Sequence, residues 1–260
     1  MSKKVSAKKH LGQHFLNDLQ IAKDIADALS IYNYKNVLEI GPGMGVLTQF
    51  IIEKDVELKL IEIDSESVKY LETNFSIDQN NIIAGDFLKL PLEELFETPF
   101  ALIGNFPYNI SSQILFKALD YKEIIPEIVG MFQKEVAERV VSGPGTKKYG
   151  IISVLLQTYY DGEYLFTVNE DVFTPAPKVK SGVIRLKRNE RTKLECDEAL
   201  YIKVVKGAFG QRRKTLRNAL KSITLPLNIS EFPFQEKRAE QLSVADFILL
   251  TQHFEQWNLN

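Results

Sequence analysis

The sequence predicts an α/β fold: a mostly parallel sheet with helices on both faces, followed by a small helical domain. Short apolar runs alternate with amphipathic segments through most of the chain, the pattern of strand, helix, strand. The apolar runs lie at 37–40, 57–63, 81–84, 101–103 and 127–131, with two more at 164–168 and 183–186. Between them, segments 47–53, 65–74, 111–119, 134–141 and 151–159 read as helices. After about Asn189 the strand signals fade. Tyr201, Val204, Val205, Ala208 and Phe209, then Leu216, Ala219 and Leu220, fall at helical spacing. Two domains are therefore expected, 1–189 and 190–260.

Two stretches interrupt the rhythm. The polar, turn-rich segment 142–150 is expected to be a mobile lid. Thr174-Pro175-Ala176-Pro177 is a stiff connector ahead of the last strand.

At 260 residues the chain buries a full core. No apolar run approaches the ~20 residues a bilayer requires, and the basic start, Met1 to Ser6, lacks the apolar stretch of a secretory signal. Cys196 is the single cysteine, which excludes an internal disulfide and a cysteine-based zinc site. A reducing cytoplasm is the expected location. The histidines His10, His14 and His253 lack ligand spacing, so no metal site is expected. No Ser-His-Asp or Cys-His arrangement is present.

The net charge of -2 conceals an asymmetry. From Lys178 to Lys221 there are fourteen Lys or Arg and four Asp or Glu, a net +10. The remainder of the chain carries -12, although four of its first nine residues are lysines. One charge run is usually a solvated face; a +10 stretch in an otherwise acidic chain favours a polyanionic partner.

Glu39-Ile40-Gly41-Pro42-Gly43-Met44-Gly45 closes the first strand. Glycines permit a tight turn and leave no side chain between backbone and ligand. The dinucleotide fingerprint Gly-x-Gly-x-x-Gly is not met, because its third glycine position is Val46 and the glycine stands one place earlier at Gly45. An acidic residue ending the next strand binds ribose hydroxyls in such folds, and Glu62 and Asp64 flank Ile63 there. A nucleotide-like cofactor is the favoured reading over a structural turn. Asp86, after the third strand, suits an adenine amine or, equally, a helix N-cap.

Asn105-Phe106-Pro107-Tyr108 ends the fourth strand. An aromatic amine is a poor nucleophile because its lone pair is delocalised into the ring. The Asn105 side-chain oxygen and a neighbouring backbone carbonyl accept both amine hydrogens, which favours a tetrahedral nitrogen with its lone pair aimed at a methyl donor. Pro107 fixes the backbone, and Tyr108 offers a flat face to a flipped base. Asn-x-Pro also makes ordinary turns; the glycine turn upstream is what favours methylation of a nucleobase amine. Phe173 is a candidate second stacking face, although a lone Phe is more often core.

With these motifs in place, the chain resembles the ribosomal RNA adenine dimethyltransferases, in particular their small-subunit branch. The likeness runs nearly end to end. It covers His10-Leu11-Gly12-Gln13-His14-Phe15-Leu16, the glycine turn, Glu62-Ile63-Asp64, Gly85-Asp86 and Asn105 to Ser111. It continues through Phe173-Thr174-Pro175-Ala176-Pro177-Lys178-Val179 and ends with Gln211-Arg212-Arg213-Lys214-Thr215-Leu216-Arg217-Asn218. The resemblance implies a Rossmann-like class I methyltransferase sheet and S-adenosyl-L-methionine as donor. As substrate it implies two adjacent adenosines near the 3′ end of small-subunit ribosomal RNA within a pre-ribosomal particle, each dimethylated. A monomer is expected.

By position, the resemblance puts His14 and Leu16 at the cofactor's mouth, and Gly41 with Gly43 against its amino-acid portion. It puts Glu62 on the ribose, Asp86 on the adenine amine, and Asn105 between cofactor and target base. Arg212, Arg213, Lys214 and Arg217 are expected to bind RNA. Phe106 stands where many relatives have Leu, a change expected to alter pocket size more than chemistry. Three alternatives stay open: a large-subunit methyltransferase of the antibiotic-resistance type, a DNA adenine methyltransferase, and a non-catalytic nucleic-acid-binding relative. Gln211 to Thr215 argues against the first and the intact Asn105 to Tyr108 against the last.

Overall fold

The structure, a computed structural model, describes residues 5–32, 34–222 and 231–258. Met1 to Lys4 of the basic start, and 223–230 and 259–260 of the expected helical domain, lie outside these.

Seven strands form one sheet. In chain order they are β1 (Asn36–Ile40), β2 (Glu57–Glu62), β3 (Ile82–Ala84), β4 (Phe100–Asn105), β5 (Glu127–Gln133), β6 (Tyr160–Val168) and β7 (Ser181–Arg188). Their order across the sheet is β3-β2-β1-β4-β5-β7-β6. The first four pairings are parallel and β5 with β7 is antiparallel. The order reverses between β1 and β4, so their carboxyl ends diverge around a crevice. Every residue of β1 and the first five of β4 are buried, which requires cover on both faces.

The helices of this part are α1 (Leu19–Asp27), α2 (Thr48–Ile51), α3 (Ser65–Asn74), α4 (Ser111–Asp120) and α5 (Lys134–Val141). The apolar faces of α1, α2 and α3 join Val37, Leu60, Ile103 and Val129 of the sheet in one core. Helix α1 was not expected. Asp18 caps it, accepting from the backbone N–H of Gln20 and Ile21 at 2.9 and 3.0 Å, and Ala22, Ile25 and Ala26 are buried on its inner stripe. A two-stranded antiparallel ribbon, also unexpected, pairs Phe15 with Thr174 and Leu16 with Phe173.

The chain divides into two compact units, residues 1–137 with 161–188, and residues 138–160 with 189–260. Segment 138–160, expected within the first domain, therefore groups with the C-terminal residues. Helices α6 (Ile151–Gln157), α7 (Glu198–Gly210), α8 (Leu216–Ala219) and α9 (Val244–Asn258) belong to the second unit.

The lid expected at 142–150 is instead pinned. The Gly145 N–H donates to the Glu240 carbonyl at 2.7 Å, the Arg212 guanidinium donates to the Thr146 and Lys147 carbonyls, and Tyr149 is fully buried against Phe209. A loop whose backbone is bonded and whose aromatic is buried has little freedom to open. No helix among the described residues is long and apolar enough to cross a membrane.

Candidate active site

At the carboxyl ends of β1, β2, β3 and β4 lies a cleft. The glycine turn forms its floor. Gly41, Gly43 and Gly45 all adopt left-handed backbone, with φ of 68°, 57° and 76°. The third serves packing rather than ligand: a Cβ on Gly45 would meet Phe75 at 2.3 Å.

Glu62 ties the turn to the rest of the floor. Its two carboxylate oxygens accept from the backbone N–H of Gly43 and Asp64, each at 2.9 Å, and its carbonyl accepts from Gly85 at 2.9 Å. Burial raises its pKa, and the backbone donors oppose that rise. Each carboxylate oxygen retains a lone pair. Behind it, Glu39 is buried, accepts from the Thr48 hydroxyl at 2.7 Å and is pushed up to about 8, chiefly by burial. Asp86 lines the cleft and also caps a short 3-10 turn, its Oδ1 accepting from the Leu88 N–H at 3.0 Å. Both sequence-based expectations for Asp86 are thus compatible, since its Oδ2 is not needed for the cap.

Residues 8–16 form one wall. Lys8 and Gln13 both donate to the buried Asp64 carboxylate, the latter at 3.1 Å. Burial pushes the Asp64 pKa up, but these donors outweigh it and hold it below the ordinary value. Gly12, at φ 67°, sits so close to Asn109 that a Cβ would meet its Oδ1 at 2.6 Å. His14 and Leu16 both line the cleft.

His14 connects three segments. Its carbonyl accepts from the Asn105 Nδ2 at 3.0 Å. Its Nδ1–H donates to the Pro175 carbonyl at 2.7 Å. Its ring stacks on Tyr108, with centroids 5.4 Å apart and planes 27° apart. A further hydrogen bond of 2.5 Å links the Tyr108 hydroxyl to Ser181 Oγ. Burial raises the Tyr108 pKa. Asn105 and Pro107 both line the cleft, and the Pro107 ring lies against Gly41.

The structure does not bring every expected residue to the cleft with its side chain. Phe106 does line the cleft, but it is 1% exposed and packs edge-on against Phe132, over Gly104 and Gly130, where no Cβ fits beneath its ring. Phe173 is buried in the core beside Leu16, the outcome usual for a lone Phe. Arg212 spends its guanidinium on Glu240 at 2.8 Å and on the 146–147 carbonyls. Arg217 pairs with Glu236. Arg213 and Lys214 are exposed.

Three residues join the site unannounced. Ile63 is 55% exposed on the cleft wall, a large apolar face beside Glu62; its place between two acids was the available signal. Glu39 and Ser181 had none, because their partners Thr48 and Tyr108 are set by the folded sheet. Among the described residues no group of three or more His, Cys, Asp and Glu is placed to hold a metal ion.

A family model described as ribosomal RNA adenine dimethylase matches residues 4–256. The chain is 62% identical over 250 residues to a ribosomal RNA small subunit methyltransferase A of Cytophaga hutchinsonii, covering 95% of this chain and 97% of the relative. Its counterpart of that name in Flavobacterium johnsoniae is 58% identical over 253 residues, covering 97% of each. Among solved structures, a dimethyladenosine transferase from Plasmodium falciparum is 26% identical with a TM-score of 0.79, over 94% of this chain and 98% of that one. The 23S rRNA methyltransferase ErmE is 25% identical with a TM-score of 0.68, over 92% and 99%.

Proposed function

The chain belongs to the ribosomal RNA adenine dimethylase family, and on that premise we propose that it dimethylates the exocyclic amines of two adjacent adenosines near the 3′ end of small-subunit ribosomal RNA. The observation that carries the reading is Asn105, held by the His14 carbonyl through its Nδ2 at the mouth of the glycine-turn cleft. The identity of 62% to a small-subunit enzyme, against 25% to a large-subunit one, favours the small-subunit branch.

The floor of the cleft fits S-adenosyl-L-methionine. The carboxylate of Glu62 retains acceptor lone pairs for ribose hydroxyls, Asp86 retains Oδ2 for the adenine amine, and Ile63 offers an apolar face. Gly41 and Gly43 leave room for the amino-acid portion. When bound, the cofactor supplies an electrophilic methyl group on a sulfonium.

Every other part of the chemistry falls to the chain. With Nδ2 engaged, Asn105 directs Oδ1 to accept an amine hydrogen. A backbone carbonyl of the same loop accepts the other. The nitrogen lone pair is thereby withdrawn from the ring and made available to the methyl group that the bound cofactor would supply, while the amine proton would leave to solvent. Acceptors aimed at the developing ammonium act by electrostatic preorganisation. Tyr108, backed on one face by His14, gives the target base its stacking surface.

The catalytic domain, 1–189 in the sequence division, carries this chemistry, and the C-terminal part, with exposed Arg213 and Lys214, recognises RNA. The enzyme works as a monomer in the cytoplasm on a pre-ribosomal small subunit. Methyl transfer from labelled cofactor to small subunits lacking the modification, with the product nucleotides mapped, tests this. Two neighbouring dimethyladenosines near the 3′ end are expected; label in large-subunit RNA, in duplex DNA or nowhere refutes it.

A further inference from the structure

The connector from Pro175 to Ser181 is tied to the surroundings of Tyr108 at both ends. The Pro175 carbonyl holds His14, whose ring stacks on Tyr108, and Ser181 holds the Tyr108 hydroxyl. Between these anchors Lys178, Val179 and Lys180 are exposed, with Val179 at 46%. Lys134 comes to the same place from β5. Gln133 is in register with Ser181, and one position further the Lys134 N–H donates to the Lys180 carbonyl at 2.9 Å. Three lysines therefore stand within a few residues of the stacking ring.

Arg185 and Arg188, further along β7, have carboxylate partners in Glu163 and Glu123. Among the described residues, Lys134, Lys178 and Lys180 have no carboxylate within 4.0 Å. Lys134 and Lys180 face each other one position beyond the last ladder pair, where like charges repel and an anion lying across them would relieve the repulsion. The three lie on the connector that anchors Tyr108 through Ser181, or are bonded to it through the Lys180 carbonyl.

We propose that Lys134, Lys178 and Lys180 form a binding site for the RNA backbone, gripping the phosphates that flank the extruded adenosine. The proposal rests on the adenosine-methylation reading and deepens it: the first unit carries its own grip on RNA, separate from Arg213 and Lys214. The ligand is single-stranded, because a base stacked on Tyr108 has left its helix and exposes its own backbone. The site reads no sequence; it sets how far the target nucleotide enters.

The test uses the full chain with Lys134→Ala, Lys178→Ala and Lys180→Ala combined, and equilibrium binding to small subunits lacking the modification at several salt concentrations. Each single-strand phosphate contact contributes about 0.7 to the slope of log affinity against log salt. The slope should therefore become shallower by about 2, with affinity near 0.1 M salt lower by roughly tenfold or more. The corresponding triple Lys→Arg protein should restore both, and calorimetry should find cofactor affinity unchanged. An unaltered slope and affinity in the alanine protein overturns the proposal, as does failure of arginine to restore them. If the parent transfers no methyl to adenosine while the slope still falls, the methylation reading fails and the RNA site stands. If transfer is normal and the slope does not move, the RNA site alone fails.

Discussion

The side-chain nitrogen of Asn105 donates to the backbone carbonyl of His14, 3.0 Å away. That bond settles which end of the amide faces the cleft, since the carbonyl accepts only from Nδ2. The residue proposed to accept the amine hydrogen is thus oriented by a wall ninety-one positions earlier in the chain. Replacing Asn105 with Ala should leave the fold intact and lower kcat by roughly 10²–10³, the scale of one well-placed transition-state partner. Single-turnover methyl transfer reads this, and near-normal turnover would sink the assignment.

Tyr108 contributes area and position separately. Tyr108→Ala should cost about 1–3 kcal/mol in kcat/KM, the range for base–aromatic stacking. Tyr108→Phe keeps the ring and gives up the Ser181 bond, so its loss should stay below about 1.5 kcal/mol. Steady-state kinetics on small subunits separates the two; equal losses would mean that stacking is not the ring's role.

Gly41 and Gly43 adopt left-handed backbone, which costs a residue bearing a Cβ about 1–2 kcal/mol. At Gly43 a Cβ would also come within 2.9 Å of the Phe15 ring. Gly41→Val and Gly43→Ala should each abolish measurable S-adenosyl-L-methionine binding in protein that is still folded. Calorimetry paired with circular dichroism decides it. Unchanged affinity in a folded Gly41→Val protein would remove the turn from the cofactor site.

Glu39 links the site to pH. Its folded pKa is raised to about 8, chiefly by burial, while an unfolded Glu titrates near ~4.3. Between those values the folded chain holds a proton that the unfolded chain has released, so stability falls as pH rises through that window. Glu39→Gln mimics the protonated acid and should leave stability near pH 5 little changed, while raising it above the parent near pH 9. Denaturant midpoints at the two pH values measure this. A variant less stable than the parent at pH 9 would show that the charged form is favoured in the fold.

Arg212 is a clamp before it is anything else. It holds Glu240 and the carbonyls of Thr146 and Lys147. Its side chain is 40% exposed, so Arg212→Ala should cost only about 1–2 kcal/mol of stability. Arg213→Glu with Lys214→Glu should instead weaken subunit binding and flatten its salt dependence without moving the denaturation midpoint. A loss of RNA affinity in Arg212→Ala with no loss of stability would restore Arg212 to the RNA-binding set.

The parts legible in the sequence are those with local causes. Apolar runs ending in Gly41 and Asn105 marked their strands, and helix α3 (Ser65–Asn74) follows its spacing residue for residue. The Phe15–Leu16 ribbon left no trace, because two residues paired with partners 159 and 157 positions away carry no periodicity. Helix α1 had a cap signal in Asp18, lost among the arm motifs that precede it. The loop at 142–150 looked mobile because Gly, Pro and Ser report backbone freedom, whereas its anchors Arg212 and Glu240 are distant in sequence. Phe106 lines the cleft as its neighbours do, but the seat of its ring was not legible, because the vacancies that receive it, at Gly104 and Gly130, belong to two different strands.

That last fit governs the order in which substitutions can be inherited. The Phe106 ring lies over Gly130 so closely that a Cβ there would meet its Cε2 at 2.2 Å. A lineage holding an aromatic at 106 is therefore locked to glycine at 130, and it escapes only if the ring shrinks first. The reverse order passes through a protein whose Asn105 loop is pushed from beneath. Positions 106 and 130 thus behave as one heritable trait, with a single viable path between its states.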